Sequence, residues 1–414
     1  MKKTELALIG AGNRGADTYG EYVYAHSQNV RFTAVAEPNK TKRNEFADKH
    51  NIPFENRFNS WEGLFSKPKL ADAALICTMD NMHNKPAEAA LKKGYHVLLE
   101  KPMSNNLREC YEIAGFEQKY KKILMICHVL RYTPFWSTIK QIIQEGRIGR
   151  VISIVHNENV GHWHQAHSFV RGNWRNSKTS SPMILAKCCH DMDLLRWIAD
   201  SKCEKISSFG NLTFFKKENA PKGSADRCID CPVESECTYS ALKLYLGEKT
   251  NWPASVISAD KSLEARIEAL KTGPYGKCAF KCDNNVVDHQ VVNMEFENEV
   301  TVAFTMCAFS KQVTRTIKIM GTEGEIRGHH EDCEIEIKHF GTDKNETISI
   351  IPKNAQGHGG GDWGLMEDFI KQVKAGKPGG LTSAKVSLES HVMSFAAEQS
   401  RLSNKVIFLN KFKS

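Results

Sequence analysis

A short apolar strand that leads directly into a glycine-rich turn constrains this chain more than any other feature. Leu6 to Ile9 are apolar, and glycines follow at Gly10, Gly12 and Gly15. This G-x-G-x-x-G spacing lets a backbone turn tightly and approach a phosphate group at the N-terminus of a helix. The motif alone is a weak signal, but the strand before it predicts the first βα unit of a dinucleotide-binding sheet.

Apolar runs and amphipathic stretches alternate over the first third of the chain. Helices are predicted over Lys40 to His50 and over Lys85 to Lys93. The apolar runs predict strands at Leu6 to Ile9, Phe32 to Ala36, Ala73 to Cys77, His96 to Leu99 and Ile123 to Cys127. Strands that alternate with helices form a parallel sheet. Residues 1–128 are therefore predicted to form a Rossmann domain that binds NAD or NADP.

The rest of the chain predicts a second domain of another kind. A helix predicted over Pro134 to Glu145 is followed by closely spaced β-rich runs at Val151 to Asn157, Val291 to Phe296, Val300 to Cys307, Thr316 to Met320 and Glu334 to Phe340. Such runs indicate a large, mostly antiparallel open sheet. Residues 129–414 are thus expected to form an α/β domain with a polar insertion over residues 215–285. An uncovered sheet face favours a homodimer or homotetramer that packs through it.

The composition is that of a globular protein and argues against two classes of partner. Of the 414 residues, 41% are hydrophobic and 25% charged, and the formal net charge is +8. Lysines and arginines are scattered without a basic tail, which argues against a nucleic-acid partner. No apolar run approaches the ~18 residues needed to span a bilayer, and no leader precedes the first strand. We expect a cytoplasmic protein without a membrane partner.

An acid at the end of the second predicted strand bears on the choice of nucleotide. Glu37 closes that strand, where a carboxylate can accept a hydrogen bond from an adenosine 2′-hydroxyl and would repel a 2′-phosphate. NAD is therefore favoured. NADP stays open because Lys40, Lys42 and Arg43 follow closely and could shelter a 2′-phosphate.

The motifs occur in the order that is typical of one known family. Gly10 to Gly15 and Glu37 are followed by Thr78-Met-Asp-Asn-Met-His83, by Glu100-Lys101-Pro102 and by Cys188-Cys189-His190-Asp191. The chain resembles the glucose-fructose oxidoreductase/inositol dehydrogenase/MocA family over nearly its whole length. This resemblance implies a Rossmann domain followed by an α/β domain. It also implies hydride transfer between a nicotinamide cofactor and a carbinol of a sugar, cyclitol or sugar derivative.

The resemblance further implies which residues form the site. Lys101 and His190 would be catalytic, one as a proton acceptor and one as a cation that stabilises alkoxide character. The nucleotide would be bound by Gly10, Gly12, Asn13, Arg14, Gly15, Glu37, Thr78, Asn81, His83, Glu100 and Lys101. Many relatives carry an acid four residues before the histidine, but Ala186 stands there. Asp193 is then the best candidate to orient the His190 ring.

Residues 161–175 are rich in groups that bind polyols. Imidazole and guanidinium groups donate hydrogen bonds, and indole rings cover C–H surfaces. Sugar contact is favoured here, with packing and a metal site as alternatives. The predicted substrate contacts are Arg131, His164, His167, Arg171, Trp174, Asp193 and His358. His358 lies in a glycine-rich segment that resembles one that closes over substrate in the family, and a flexible turn is the alternative.

Clustered cysteines in the insertion indicate a second kind of site. Cys228, Cys231 and Cys237 place three thiols in one loop, and Cys278 and Cys282 follow downstream. Structural zinc bound by Cys228, Cys231, Cys237 and Cys282 is the favoured interpretation, with Cys278 as the alternative fourth ligand. An iron–sulfur cluster and free thiols remain open.

The sequence thus predicts an NAD(P)-dependent dehydrogenase that acts on a CH–OH group of a sugar-like small molecule. One alternative is an NAD-dependent glycosidase of the same fold, which oxidises its substrate transiently and has no net redox change. The other is a catalytically inactive nucleotide-binding sensor or scaffold, which only Ala186 supports. The retention of both Lys101 and His190 argues against it.

Overall fold

The computed structural model describes residues 2–351 and 357–412, and a sheet of parallel strands forms its N-terminal part. The strands are β1 (Thr4–Ile9), β2 (Val30–Ala36), β3 (Arg57–Phe58), β4 (Ala73–Ile76), β5 (His96–Leu99) and β6 (Leu124–Ile126). Their order is β3-β2-β1-β4-β5-β6, and every pair is parallel. An apolar core lies on each side of the sheet, which explains why most of its strands contain short apolar runs. The predicted Rossmann sheet is confirmed.

Five α-helices accompany this sheet: α1 (Glu21–Ala25), α2 (Lys40–Lys49), α3 (Trp61–Ser66), α4 (Asn84–Lys92) and α5 (Leu107–Tyr120). A π-helical segment, Asn13–Gly20, leads from the glycine turn into α1. Side-chain caps fix the starts of two helices, because Asn39 accepts from the Lys42 amide and Asn106 accepts from the Arg108 amide.

Nine strands form the second sheet: β7 (Val151–Asn159), β8 (Cys203–Asn211), β9 (His289–Phe296), β10 (Thr301–Cys307), β11 (Thr314–Gly321), β12 (Gly324–His329), β13 (Glu334–His339), β14 (Asn345–Ser349) and β15 (Ile407–Phe408). Their order is β14-β13-β12-β11-β7-β10-β9-β8-β15. The pair β7–β10 is parallel, and the other pairs are antiparallel. The predicted mostly antiparallel sheet is confirmed.

The remaining α-helices are α6 (Pro134–Gln144), α7 (His162–His164), α8 (Met183–Ala186), α9 (Cys189–Ala199), α10 (Ala241–Tyr245), α11 (Leu263–Thr272), α12 (Gly361–Ala375) and α13 (Ala384–Ser403). Two of them return to the first domain. Leu365 and Phe369 of α12 are buried in the same core as Leu6 of β1. Ala384 at the start of α13 packs in the other core of the first sheet, whereas Met393 packs under the second sheet. The C-terminal segment therefore joins the two domains.

The insertion over residues 215–285 has little apolar core of its own. It contains α10, α11 and isolated single turns. One small apolar cluster groups Phe215, Ala279 and Phe280 with Val170, and another surrounds Tyr245. Across residues 2–351 and 357–412, no helix is both long and apolar enough to cross a membrane.

Candidate active site

The glycine turn has the close backbone approaches that its sequence predicts. Gly10 has a φ of +92°, and a Cβ on it would lie 2.5 Å from the Cys77 carbonyl oxygen. A Cβ on Gly15 would lie 2.2 Å from the Gly10 carbonyl oxygen. By contrast, no atom lies within 4 Å of a Cβ placed on Gly12. The turn thus requires glycine at two positions and is open at the third, which suits a nucleotide pyrophosphate.

Glu37 lies against this turn at the end of β2. One carboxylate oxygen accepts from the Ala11 amide at 2.9 Å, and the other accepts from the Asn39 amide at 2.9 Å. Arg43 donates to the backbone carbonyl of Glu37 at 2.5 Å, whereas Lys40 and Lys42 are exposed. A carboxylate fixed beside the glycine turn favours a ribose hydroxyl over a phosphate.

Arg14 connects the glycine turn to the start of α12. Its guanidinium donates to Glu100, to Asp362 and to the Tyr19 hydroxyl, each at 2.6 Å. Burial alone would raise the pKa of Glu100, but the charges of Arg14 and Lys101 hold it below its ordinary value. The pKa of Asp362 is lowered in the same way by Arg14 and His358 against the effect of burial. These carboxylates are therefore charged at neutral pH.

The loop after β4 contacts the residues that follow β5. The His83 ring lies between the carbonyl oxygens of Pro102 at 2.7 Å and Thr78 at 3.2 Å. The Thr78 hydroxyl donates to the Met82 carbonyl, and Asn81 is exposed. In the glycine turn, the exposed Asn13 side chain donates to Asp17. Nucleotide contact by Thr78, Asn81, His83 and Asn13 stays a prediction.

Lys101 and His190 approach each other across the domain boundary. The Lys101 Nζ atom donates to the carbonyl oxygen of Ala186 at 2.9 Å, and Ala186 ends α8 just before α9 carries His190. His190 is 4% exposed, and burial together with the charge of Lys101 places its pKa well below the ordinary value. The imidazole is therefore neutral at pH 7.

His358 joins this pair from the segment before α12. Its ring centroid lies 5.8 Å from that of His190, and its Nδ1 atom lies 3.0 Å from Asp362. Because Asp362 also binds Arg14, a continuous chain of contacts runs from the glycine turn to His190. Substrate contact by His358 stays a prediction.

Arg131 and Asp193 bind each other inside the protein. Arg131 donates to the two carboxylate oxygens of Asp193 at 2.6 and 2.7 Å, and both side chains are nearly inaccessible. Burial raises the pKa of Asp193 although the Arg131 charge opposes this. The structure thus gives Asp193 a partner other than His190, and it gives this pair a structural role in place of the expected substrate contact. Spacing along the chain did not reveal that partner.

Three residues of the polyol-rich segment, His164, His167 and Arg171, pack against the insertion. The His164 ring packs 5.1 Å from that of Trp252, and burial and Lys187 lower its pKa well below the ordinary value. Trp174 donates to Asp80 at 3.3 Å. His167 and Arg171 differ from the expectation, because both are buried against the insertion. The His167 Nδ1 atom lies 2.9 Å from the Tyr245 hydroxyl.

A buried charge network beside His190 escaped the sequence analysis. Arg315 contacts Glu158 at 2.6 Å and Asp191 at 2.8 Å, and Lys187 lies 3.2 Å from Glu158. Asp191 also contacts His156, which alternates with Glu158 on the covered face of β7. Ionisable residues at buried, alternating positions of a strand are the signal that would have indicated this network.

The predicted zinc ligands do not form a ready-made metal site. Among the described residues, no group of three or more His, Cys, Asp or Glu side chains is arranged to hold a metal ion. Cys282 instead donates to the Cys278 carbonyl at 3.3 Å. The favoured fourth ligand therefore lacks support, and the zinc prediction is not supported by this arrangement.

The fold and the glycine turn are those of an NAD-binding oxidoreductase family. The model for an oxidoreductase family with an NAD-binding Rossmann fold matches residues 4–128, and the model for the C-terminal alpha/beta domain of that family matches residues 140–406. The chain belongs to the Gfo/Idh/MocA family of oxidoreductases. This confirms the resemblance on which the sequence analysis relied.

Relatives extend this comparison at low identity. The putative oxidoreductase YteT of Bacillus subtilis is 26% identical over 321 residues, which cover 74% of this chain and 72% of that protein. Inositol 2-dehydrogenase of Corynebacterium glutamicum is 23% identical over 209 residues, covering 50% of this chain and 57% of that enzyme. A levoglucosan dehydrogenase solved with NADH and levoglucosan is 16% identical, has a TM-score of 0.73, and is covered over 100% of its length by 99% of this chain. This last similarity shows the fold alone.

Proposed function

We propose that the protein is an NAD-dependent dehydrogenase that oxidises a carbinol of a sugar, cyclitol or sugar derivative, or reduces the corresponding carbonyl. The main observation in support is the hydrogen bond from Lys101 Nζ to the Ala186 carbonyl oxygen. It brings an ammonium group from the Rossmann domain to the turn before His190. The inositol 2-dehydrogenase among the relatives supports the substrate class. The glycosidase and the inactive scaffold are not favoured.

Each residue of the site has a separate role in the proposed reaction. Bound NAD supplies the hydride acceptor. Neutral His190 accepts the proton of the substrate hydroxyl, and the Lys101 ammonium stabilises negative charge that develops on that oxygen. His358, held by Asp362, lies on the substrate side and orients the sugar. Glu37 selects NAD over NADP by accepting from the ribose 2′-hydroxyl.

Replacement of the cation tests this assignment. Lys101→Met is expected to bind NAD still and to lose turnover, because the methionine keeps the apolar stem and removes the charge. Lys374→Met, an exposed lysine on α12, is the matched control and should retain turnover. A panel of sugars and cyclitols is followed by NADH absorbance, and nucleotide binding is measured by calorimetry. Turnover by Lys101→Met at the control rate would contradict the assignment.

We also propose that the open face of the second sheet forms a homodimer or homotetramer interface. Ile152, Val155 and Phe209 project apolar side chains from its strands and are 40%, 39% and 63% exposed. Apolar groups on an open sheet face are stabilised when a second copy covers them. Light scattering of the wild type and of Val155→Glu tests this proposal. A monomeric wild type at micromolar concentration would contradict it.

A further inference from the structure

Four cysteines of the insertion line one small enclosed cavity. Cys228, Cys231 and Cys237 come from one loop, and Cys278 comes from the segment after α11. The cavity volume is about 10 Å³. This is close to the space of one water-sized sphere, which is the scale of a single ion. Cys282, which the spacing favoured as the fourth ligand, is absent from the lining.

Backbone hydrogen bonds hold the two cysteine segments side by side. The Cys278 amide donates to the Asp226 carbonyl at 2.8 Å, and Arg227 and Lys277 form an isolated antiparallel bridge. Within the loop, the Cys231 amide donates to the Cys228 carbonyl and the Cys237 amide donates to the Glu234 carbonyl. The convergence of the thiols is therefore built into the backbone.

A buried cation beside the thiols points to negative charge in this cavity. Arg171 is 1% exposed, and its guanidinium contacts the Lys277 carbonyl at 2.8 Å, the Tyr239 carbonyl at 2.6 Å and the Cys228 sulfur at 3.6 Å. Among the described residues, the side-chain contacts of this guanidinium are with two neutral carbonyl groups and one sulfur, none of them a carboxylate. Buried charges are normally paired. Ionised thiolates around a metal ion would supply the missing anion.

We propose that Cys228, Cys231, Cys237 and Cys278 bind one zinc ion as a closed structural site. The thiols as they stand are not arranged as ligands, since the Cys228 thiol donates to the Lys277 carbonyl at 3.8 Å. Binding releases the thiol protons to solvent, turns the side chains into the cavity and forms four zinc–sulfur bonds without change of oxidation state. The ion then cross-links an insertion that has little apolar core. It also fixes Arg171 and the segment next to the active site.

Metal analysis of the full-length protein, purified without chelator and desalted after incubation with zinc sulfate, tests the proposal. The wild type should retain about one zinc per chain, as a closed four-thiolate site does. Cys278→Ser should lose it, whereas the matched control Cys282→Ser should keep it. Equal retention by both variants, or loss in Cys282→Ser alone, would overturn the ligand assignment.

A measurement on the wild type keeps the test decisive if Cys278→Ser does not fold. Titration with an organomercurial thiol reagent should release zinc in proportion to the modification of four thiols, followed with a chromogenic chelator. Substitution by cobalt should give the spectrum of tetrahedral cobalt–thiolate coordination. Less than half an equivalent of zinc in the wild type, or iron with acid-labile sulfide in its place, would overturn the proposal. Neither outcome bears on nucleotide binding or turnover.

Discussion

The buried ion pair between Arg131 and Asp193 makes a strong prediction about stability. Its side chains are 3% and 2% exposed, and two short hydrogen bonds join them between the turn that follows β6 and helix α9. Arg131→Met leaves the carboxylate buried without its partner, which costs about 3–5 kcal/mol. The exposed pair Arg108–Glu112, 81% and 46% accessible, is the control, and Arg108→Met should cost less than about 0.5 kcal/mol.

Urea unfolding of the wild type and both variants measures this difference. The double variant Arg131→Met/Asp193→Leu should recover most of the loss, because it removes both buried charges together. The pH dependence gives a second check. Burial raises the pKa of Asp193, and removal of Arg131 raises it further. A carboxyl group whose pKa is raised in the folded state makes the protein less stable as pH rises. The loss of unfolding free energy caused by Arg131→Met should therefore be larger at pH 8 than at pH 5. If Arg131→Met lowered the free energy of unfolding by no more than Arg108→Met does, the reasoning would be refuted.

Three further predictions concern the nucleotide site and one buried histidine. Gly15→Ala should weaken NAD binding at least about tenfold, because its Cβ would lie 2.2 Å from a backbone oxygen. Gly115→Ala is the control: no atom lies within 4 Å of its Cβ, so the NAD affinity measured by calorimetry should not change. Glu37→Ala should reduce the preference for NAD over NADP, and an unchanged ratio of dissociation constants would contradict its assigned role. His391, with a pKa lowered by burial to about 3, accepts from the Met103 amide through Nε2 and donates from Nδ1 to the Ser387 carbonyl. Its stabilising contribution is present above the unfolded-state pKa of about 6.5 and is lost toward pH 3, by about 2 kcal/mol at pH 5. Between pH 7.5 and 5, the free energy of unfolding in urea should therefore fall less in His391→Gln than in the wild type. An identical fall in both proteins would argue that His391 does not cause it.

The fold was largely predictable because its signals are local. Strands β1, β2, β4, β5 and β6 are buried on both faces, so each is a short apolar run that can be read from the sequence. The glycine turn was accessible to sequence reasoning through its spacing. The steric contact at Gly15 is local, whereas that at Gly10 is with Cys77, which follows β4. The assignment of Lys101 and His190 rests on the order of family motifs and stays a prediction.

The rest of the site depends on contacts between distant parts of the chain. His167 and Arg171 carry the right chemistry for sugar binding, but the insertion that covers them begins more than 40 residues later. Arg131 and Asp193 are 62 residues apart, and neither pattern nor spacing indicates that they pair. The choice between Cys278 and Cys282 likewise depends on which side chain faces the cavity. The two cysteines are only four residues apart, so their spacing in the sequence does not decide between them.

The central claim is that Lys101 and His190 perform hydride-transfer chemistry on a carbinol beside NAD. The most direct measurement is NADH formation by the wild type across a panel of sugars and cyclitols, repeated with Lys101→Met and His190→Asn after their NAD affinity has been measured. The account predicts turnover of at least one panel member by the wild type, and NAD binding without turnover in both variants. Turnover of that same substrate by either variant at the wild-type rate would contradict it.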